Sequence, residues 1–252
     1  MIKSLMILSD NGLVIYYKDF ISTFRQEKSL IVGATIRSLL LMTEECNDVP
    51  LSYVEFTNVA LSLCVDKDHF RLICAVFHDP KYSSTFGKML SRELLRVFCD
   101  LYSSQLSVLS TNKILADEFS SFDSKISHGV RNTFLPLLRL LNKQSNIFSC
   151  ALIQNGKIVC STRPVSALSL SANLQFFLDY SQDLFACVAD HLVSATFLTN
   201  NGQRLVMKQI KNYILIVVVS SQAKLDSVNK ALSRTILTLE RAFTILENLE
   251  VA

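Results

Sequence analysis

Two Asn-Gly pairs, Asn11-Gly12 and Asn155-Gly156, stand 144 residues apart, each between two short apolar runs. Asn and Gly accept the positive φ that a tight hairpin turn demands, so residues 2–8 with 13–17, and 147–153 with 157–161, are expected to form β-hairpins. The same order of patterns follows each hairpin. In the first half, 29–46 is a helix-length apolar stretch ended by Pro50, then 51–56, 59–65 and 70–77 read as strands with a turn at Asp66-Lys67-Asp68. Residues 83–104 then carry apolar side chains at helical spacing. In the second half, 166–180 reads as a helix, and 192–198, 204–208 and 213–219 as a meander with turns at Asn200-Asn201-Gly202 and Lys211-Asn212. The closing helix places Val228, Leu232, Ile236, Leu239, Phe243 and Leu246 four and three apart, with Ser220 or Ser221 as its N-cap. A shift of 144 also lays Asp66-Lys67 on Ile210-Lys211 and Phe77 on Ser221. The chain therefore reads as an α+β protein, layered α/β/α, that holds two copies of one unit. Each copy is an antiparallel five-stranded sheet in ββαβββα order with flanking helices. Residues 1–143 form the first copy, with 111–142 as a helical extension containing Gly129 and Pro136, and 144–252 form the second.

Composition supports a packed protein with little chemistry on show. Of 252 residues, 50% are hydrophobic and 19% charged, against a usual charged share of about 25%, so a core can form and disorder is not the main state. The formal net charge of +3 is too balanced for a nucleic-acid groove. The purest apolar run, 214–219, is far short of the roughly 20 residues a membrane span needs. Residues 1–10 lack the long apolar stretch and small-residue cleavage site of a signal peptide, so the cytosol is the expected compartment. The seven Cys contain no C-x-x-C pair and are expected to stay as thiols. A two-residue turn at Asn155-Gly156 pairs 150 with 161, which sets Cys150 and Cys160 on opposite faces of their hairpin.

A unit that begins with such a hairpin, crosses by one helix to a three-strand meander and ends in helices resembles the longin fold of trafficking proteins. Ile2-Lys3-Ser4-Leu5-Met6-Ile7-Leu8, Asp10-Asn11-Gly12 and Leu13-Val14-Ile15-Tyr16-Tyr17 resemble the opening of adaptor small and medium chains and of longin-bearing Rab exchange factors. Cys150-Ala151-Leu152-Ile153-Gln154-Asn155-Gly156-Lys157-Ile158-Val159-Cys160-Ser161-Thr162 is similar to the start of the second longin domain in Hermansky-Pudlak-type and Ccz-type exchange-factor subunits, relatives of the Fuzzy and Inturned proteins. The resemblance implies two tandem longin domains in a cytoplasmic subunit recruited peripherally to endomembranes. It implies pairing with another longin-domain protein as a heterodimer, and binding of a small Rab-type GTPase, with any nucleotide exchange belonging to the assembly. A coat, adaptor or tether subunit without exchange activity is the alternative.

The sequence carries few chemical signatures. No phosphate-cradling G-x-x-x-x-G-K-[ST] or G-x-G-x-x-G occurs, and the four His stand at no spacing typical of zinc, so no catalytic residue, cofactor or metal is expected. The most enzyme-like idea is a thiol activated by Asp190-His191, but neighbours on a strand face opposite ways, and Cys64, Cys74 and Cys150 read as core. On the last hairpin Arg204, Lys208 and Lys211 are candidates for weak contact with an acidic membrane or partner, Arg204 and Lys208 sharing one strand face. The first helix is the main anomaly, because its apolar residues exceed the roughly 100° stripe that covers a sheet. Ile31, Thr35, Ser38 and Met42 are the candidate partner interface, with Gly33, Ala34 and Ser38 small enough for a close backbone approach. Coverage by 111–142 of the same chain is the competing expectation.

Overall fold

The computed structural model describes residues 2–21, 28–47, 51–67, 69–106, 116–144, 146–163, 193–198, 200 and 202–251. The first copy contains β1 (Ile2–Ser9), β2 (Val14–Asp19), α1 (Ser29–Asn47), β3 (Tyr53–Glu55), β4 (Ala60–Val65), β5 (Leu72–His78) and α2 (Ser84–Leu106). A 3₁₀ segment (Ala116–Lys125), α3 (Ile126–Asn132) and α4 (Phe134–Asn142) follow. Then come β6 (Ile147–Gln154), β7 (Lys157–Ser161), β8 (Ser194–Leu198), β9 (Arg204–Ile210), β10 (Tyr213–Val219) and α5 (Leu225–Val251). The strands form two antiparallel five-stranded sheets, β2-β1-β5-β4-β3 and β7-β6-β10-β9-β8, with the same topology. The expected helix at 166–180, the uncertain strand at 185–189 and Asp190-His191 lie outside the described residues.

In the first sheet the central strands β1 and β5 read as nearly unbroken apolar runs because both faces are covered. On one face Met6, Leu8, Leu63, Ile73 and Ala75 pack with Ile36 and Leu40 of α1. On the other, α2 buries Phe86, Leu90, Leu94 and Phe98, and the 3₁₀ segment adds Phe119 and Phe122. Phe98 meets Phe122 edge-on at 5.0 Å and Phe119 at 5.3 Å, and Tyr102 meets Phe119 edge-on at 4.8 Å. The Tyr16 hydroxyl donates to Asp123, whose carboxylate also pairs with Lys18 at 2.7 Å, so the 3₁₀ segment is pinned to β2. In the second sheet Tyr213 stacks on Phe243 at 3.9 Å, and Phe134 stands edge-on to Phe243 at 5.3 Å.

These contacts define two compact units, Met1–Thr133 with Thr244–Ala252, and Phe134–Phe243. Residues 134–142, which the sequence pattern attaches to 1–143, thus pack with the second sheet, where α4 lies against β6 and β7. Pro136 is tolerated as the third residue of α4, since a helix's first N–H groups have no intrahelical acceptor.

The repeat is real, but one shift of 144 does not describe it. The first hairpin closes through three residues, with Gly12 N–H donating to the Ser9 carbonyl and Gly12 at φ 82°. The second closes through two, Asn155 and Gly156, both with positive φ, in a mirror-image turn. Both hairpins then bulge at the same place. Ile7 opposes Tyr16 and Leu8 opposes Val14, leaving Ile15 extra, while Leu152 opposes Cys160 and Ile153 opposes Ile158, leaving Val159 extra. Two expectations are corrected as a result. Cys150 lies opposite Thr162 rather than Ser161, so Cys150, Leu152 and Cys160 share a face; both thiols are nonetheless free. Phe77 corresponds to Val218 rather than Ser221, because the 66–71 loop is longer than the Lys211-Asn212 turn. Ser220 does not cap the last helix either: its hydroxyl and carbonyl accept from Gln222 and Ala223 in a preceding turn, and α5 begins at Leu225.

Candidate interaction surface

The geometry of α1 is fixed from beneath, at its middle and near its C-terminus. Its buried stripe is Ser29, Gly33, Ile36 and Leu40. At Gly33 a Cβ would lie 2.6 Å from the Gly12 carbonyl oxygen, and at Gly12 one would lie 3.0 Å from Arg37 Cβ, so helix and hairpin turn meet backbone to backbone. The small residue that reads as room for a partner is therefore occupied by the chain's own turn. Arg37, at the middle of the helix, bridges to Asp10 of that turn at 3.2 Å. In the last turn Glu44 bridges to Lys67 at 2.8 Å, and the hydrogen bond from Lys67 holds the Glu44 carboxyl below the usual range.

The opposite stripe is apolar and open. Leu30, Ile31, Leu41 and Met42 are 57%, 68%, 41% and 61% exposed, and Ala34, Thr35 and Ser38 between them are also exposed. From Leu30 to Met42 this stripe is about 18 Å long and carries no charge. The Thr35 and Ser38 hydroxyls donate to the Ile31 and Ala34 carbonyls of their own helix, at 2.8 and 3.0 Å, which hides much of their polarity. All four residues singled out from spacing, Ile31, Thr35, Ser38 and Met42, thus fall on one exposed face. The described part of 111–142 does not cover it: the 3₁₀ segment packs on β2 and α2, α3 on α2, and α4 on β6 and β7.

The basic candidates are placed less simply. Arg204 and Lys208 share a face of β9, opposite Val219 and Leu215, which is the side that carries Tyr213 and its stack on α5. Arg204 Nη1 is buried with no hydrogen-bond partner among the described residues, while Lys211 is exposed in the turn at φ 53°. Arg204 and Lys211 are seven residues apart, about 23 Å along a strand, so the three charges do not converge.

The described thiols are poor nucleophiles. Burial pushes Cys99, Cys150 and Cys160 up to about 12, raises Cys64 and raises Cys74 well above its ordinary value, so all five stay protonated at neutral pH. Sequence reasoning missed one buried polar pair. The Ser62 hydroxyl and His78 Nε2 lie 2.8 Å apart, and His78 Nδ1 lies 2.9 Å from the Asp79 carbonyl. A carbonyl only accepts, so Nδ1 carries a proton, and with the ring neutral Nε2 accepts from the Ser62 hydroxyl. Burial lowers the His78 pKa in keeping with this. Ser62 is fully buried and no substrate reaches it, so the pair satisfies itself beneath α2. Among the described residues no cluster of His, Cys, Asp and Glu is arranged to hold a metal, and no helix is long and apolar enough to cross a membrane.

The strand order β2-β1-β5-β4-β3, repeated as β7-β6-β10-β9-β8, and a long helix after each meander give two longin-like sheets in one chain. No protein-family model matches the sequence, and no curated protein does. Several solved structures resemble part of the chain. MglB of Myxococcus xanthus is 16% identical and covers 46% of this chain and 91% of its own, with a TM-score of 0.43. A Roadblock/LC7 domain from Streptomyces avermitilis is 11% identical, covering 44% and 97%, with a TM-score of 0.40. The gliding protein MglB of Thermus thermophilus is 14% identical, covering 45% and 90%, with a TM-score of 0.40.

Proposed function

We propose that this chain is a non-catalytic subunit of a membrane-trafficking complex that pairs, through the open face of α1, with another longin-fold protein, and that the pair binds a small Rab-type GTPase. It acts in the cytoplasm and is recruited peripherally to endomembranes. The observation that carries the reading is the uncharged stripe Leu30, Ile31, Ala34, Leu41 and Met42, on a helix held rigidly from beneath. Burying a large apolar side chain is worth about 1.5–3 kcal/mol, and these four large ones are roughly half exposed, so covering them contributes roughly 3–6 kcal/mol. Association itself costs about 4–15 kcal/mol, so adjoining surface must take part. Leu13, 57% exposed in the turn beneath α1, is available for that. Nucleotide exchange by such a pair needs no protein nucleophile, since a partner that prefers the nucleotide-free GTPase shifts its equilibrium by differential affinity.

Tagged chain is purified from its native cells with nucleotide stripped by a chelator and, in parallel, with excess GTP and magnesium. Recovery of a second longin-fold protein in both, with a small GTPase enriched only after stripping, supports the reading. Ser38→Arg tests the surface: Ser38 bonds only within its own helix, so the fold should survive and the longin partner should be lost. Undiminished pairing would remove α1 from the proposal. Large coat or tether subunits indifferent to nucleotide would replace the exchange reading with the adaptor one.

A further inference from the structure

The second domain carries a feature that the α1 reading does not use. Between α4 and α5 runs a cleft of about 350 Å³ with Leu140, Leu141 and Ala231 in its apolar lining and Lys230 and Arg234 on one lip. Lys230 and Arg234 are four apart on α5 and face the same way. Neither cation forms an ion pair among the described residues, although seven such pairs are present elsewhere. No carboxylate is among the described residues that line the cleft: Asp226 lies one turn before Lys230, and Glu240 follows Arg234 by six residues.

Two like charges one turn apart beside an apolar trough repel each other and gain when an anion lies against them. The net charge of only +3 makes this concentration local rather than general. The concavity decides what kind of anion. A bilayer surface is broad and meets the lips but not Leu141 and Ala231, which are buried and half-buried on the floor. A chain segment reaches both.

We propose that the α4–α5 cleft docks an acidic segment of a partner protein, with carboxylates against Lys230 and Arg234 and an apolar side chain seated on Leu140 and Ala231. The segment is short, since the lining of α5 from Ser227 to Thr235 spans about 12 Å, some four extended residues or two helical turns. This site is independent of the α1 face, and either can fail without the other.

The test uses the whole purified chain as bait for a displayed library of short random peptides. Enriched sequences should combine Asp or Glu with Leu, Ile or Phe. A synthetic consensus should bind at least about tenfold more tightly than polyglutamate of equal charge, measured by fluorescence anisotropy. Lys230→Glu with Arg234→Glu should weaken that peptide at least about tenfold while the circular dichroism spectrum is unchanged. The milder Lys230→Ala with Arg234→Ala covers the case in which charge reversal disturbs α5. Ser38→Arg should leave peptide binding intact. Peptides without acidic residues, equal binding of polyglutamate, or equal binding by both double variants would overturn the proposal. So would capture by vesicles rich in phosphatidylserine that the double variants abolish, in the absence of peptide binding, which would assign the cations to a lipid surface.

Discussion

Replacing Gly87 by Ala sets two known effects against each other. In an exposed helix interior, Ala is favoured over Gly by about 1 kcal/mol. Gly87, however, lies on α2 directly over the Ser62–His78 pair, and a Cβ there would sit 2.1 Å from Ser62 Oγ and 2.5 Å from His78 Nε2. Relief requires α2 to move off the sheet, at about 1–3 kcal/mol for overpacking, or the pair to separate, which leaves buried polar atoms unpaired at about 1–3 kcal/mol. Subtracting the helical gain of about 1 kcal/mol, Gly87→Ala should destabilise the first domain by up to about 2 kcal/mol. Hydrogen exchange of peptides from β4, β5 and α2 reads this domain alone, which global unfolding of a two-domain chain does not. Ser62→Gly in the same background removes the nearest clash, so the two substitutions should couple by about 1 kcal/mol or more, Gly87→Ala costing less where Ser62 is absent. A Gly87→Ala protein as protected as the parent, or strictly additive effects, would refute the packing argument. The pair also sets a pH dependence. His78 is neutral when folded and its pKa is lowered by burial from about 6.5, so below that value the unfolded chain binds the extra proton and stability falls with pH. The contribution is complete above about pH 6.5 and is lost as pH drops toward the lowered folded value; His78→Gln should flatten exchange protection over that window.

Further outcomes follow from the same geometry. Gly33→Ala and Gly129→Ala both introduce a Cβ 2.6 Å from a neighbour, but the neighbour is the Gly12 carbonyl in one case and the movable Cδ2 of Leu94 in the other. Gly33→Ala should therefore destabilise by about 1–2 kcal/mol, and Gly129→Ala should be within about 0.5 kcal/mol of the parent, by the same exchange measurement. Tyr16→Phe removes the hydrogen bond to Asp123 while Lys18 still pairs with it, and should cost about 0.5–1.5 kcal/mol, read as faster exchange in the 3₁₀ segment. Cys74, Cys99, Cys150 and Cys160 should resist a mild alkylating reagent at pH 7 in the folded chain and react once it is unfolded; rapid labelling of any of them when folded would contradict their burial.

What the sequence makes legible here is what local pattern determines. Apolar runs between turn signals and apolar residues at helical spacing place the described strands and α1, α2 and α5 close to their observed spans, whereas 111–142 reads as one helical segment and holds a 3₁₀ segment and two helices; the over-wide apolar stripe of α1 marks a face that is exposed. What it leaves illegible depends on register and distance. The same dipeptide, Asn-Gly, closes a three-residue turn in β1–β2 and a two-residue turn in β6–β7, and the extra residue of the bulge that follows, Val159, reverses which face Cys160 occupies. Ser62 and His78 meet only because the 66–71 loop sets Ser62 opposite Val76, so that His78 comes diagonal to it on the same face; a loop one residue longer would part them. Phe134 has no local signal that its ring will stand against Phe243, more than a hundred positions later, so α4 looks like the end of the first domain although it packs with the second.

The case of Gly33 joins these levels. A small residue on an over-apolar helix reads as an invitation to a partner, but it is taken up by the contact with Gly12, and Arg37 at mid-helix and Glu44 in the last turn tie the helix to the neighbouring loops. That inward contact gives the outward face its use. A helix that cannot shift presents Ile31, Ala34, Ser38 and Met42 in one fixed array, and little ordering entropy is lost when something covers them. Loosening the helix from beneath should then weaken pairing from a distance: Gly33→Ala, which touches no exposed residue of α1, should reduce capture of the longin partner in proportion to its loss of exchange protection. A variant that loosens α1 yet pairs as strongly as the parent would mean that the face is not preorganised, and that the partner is held elsewhere.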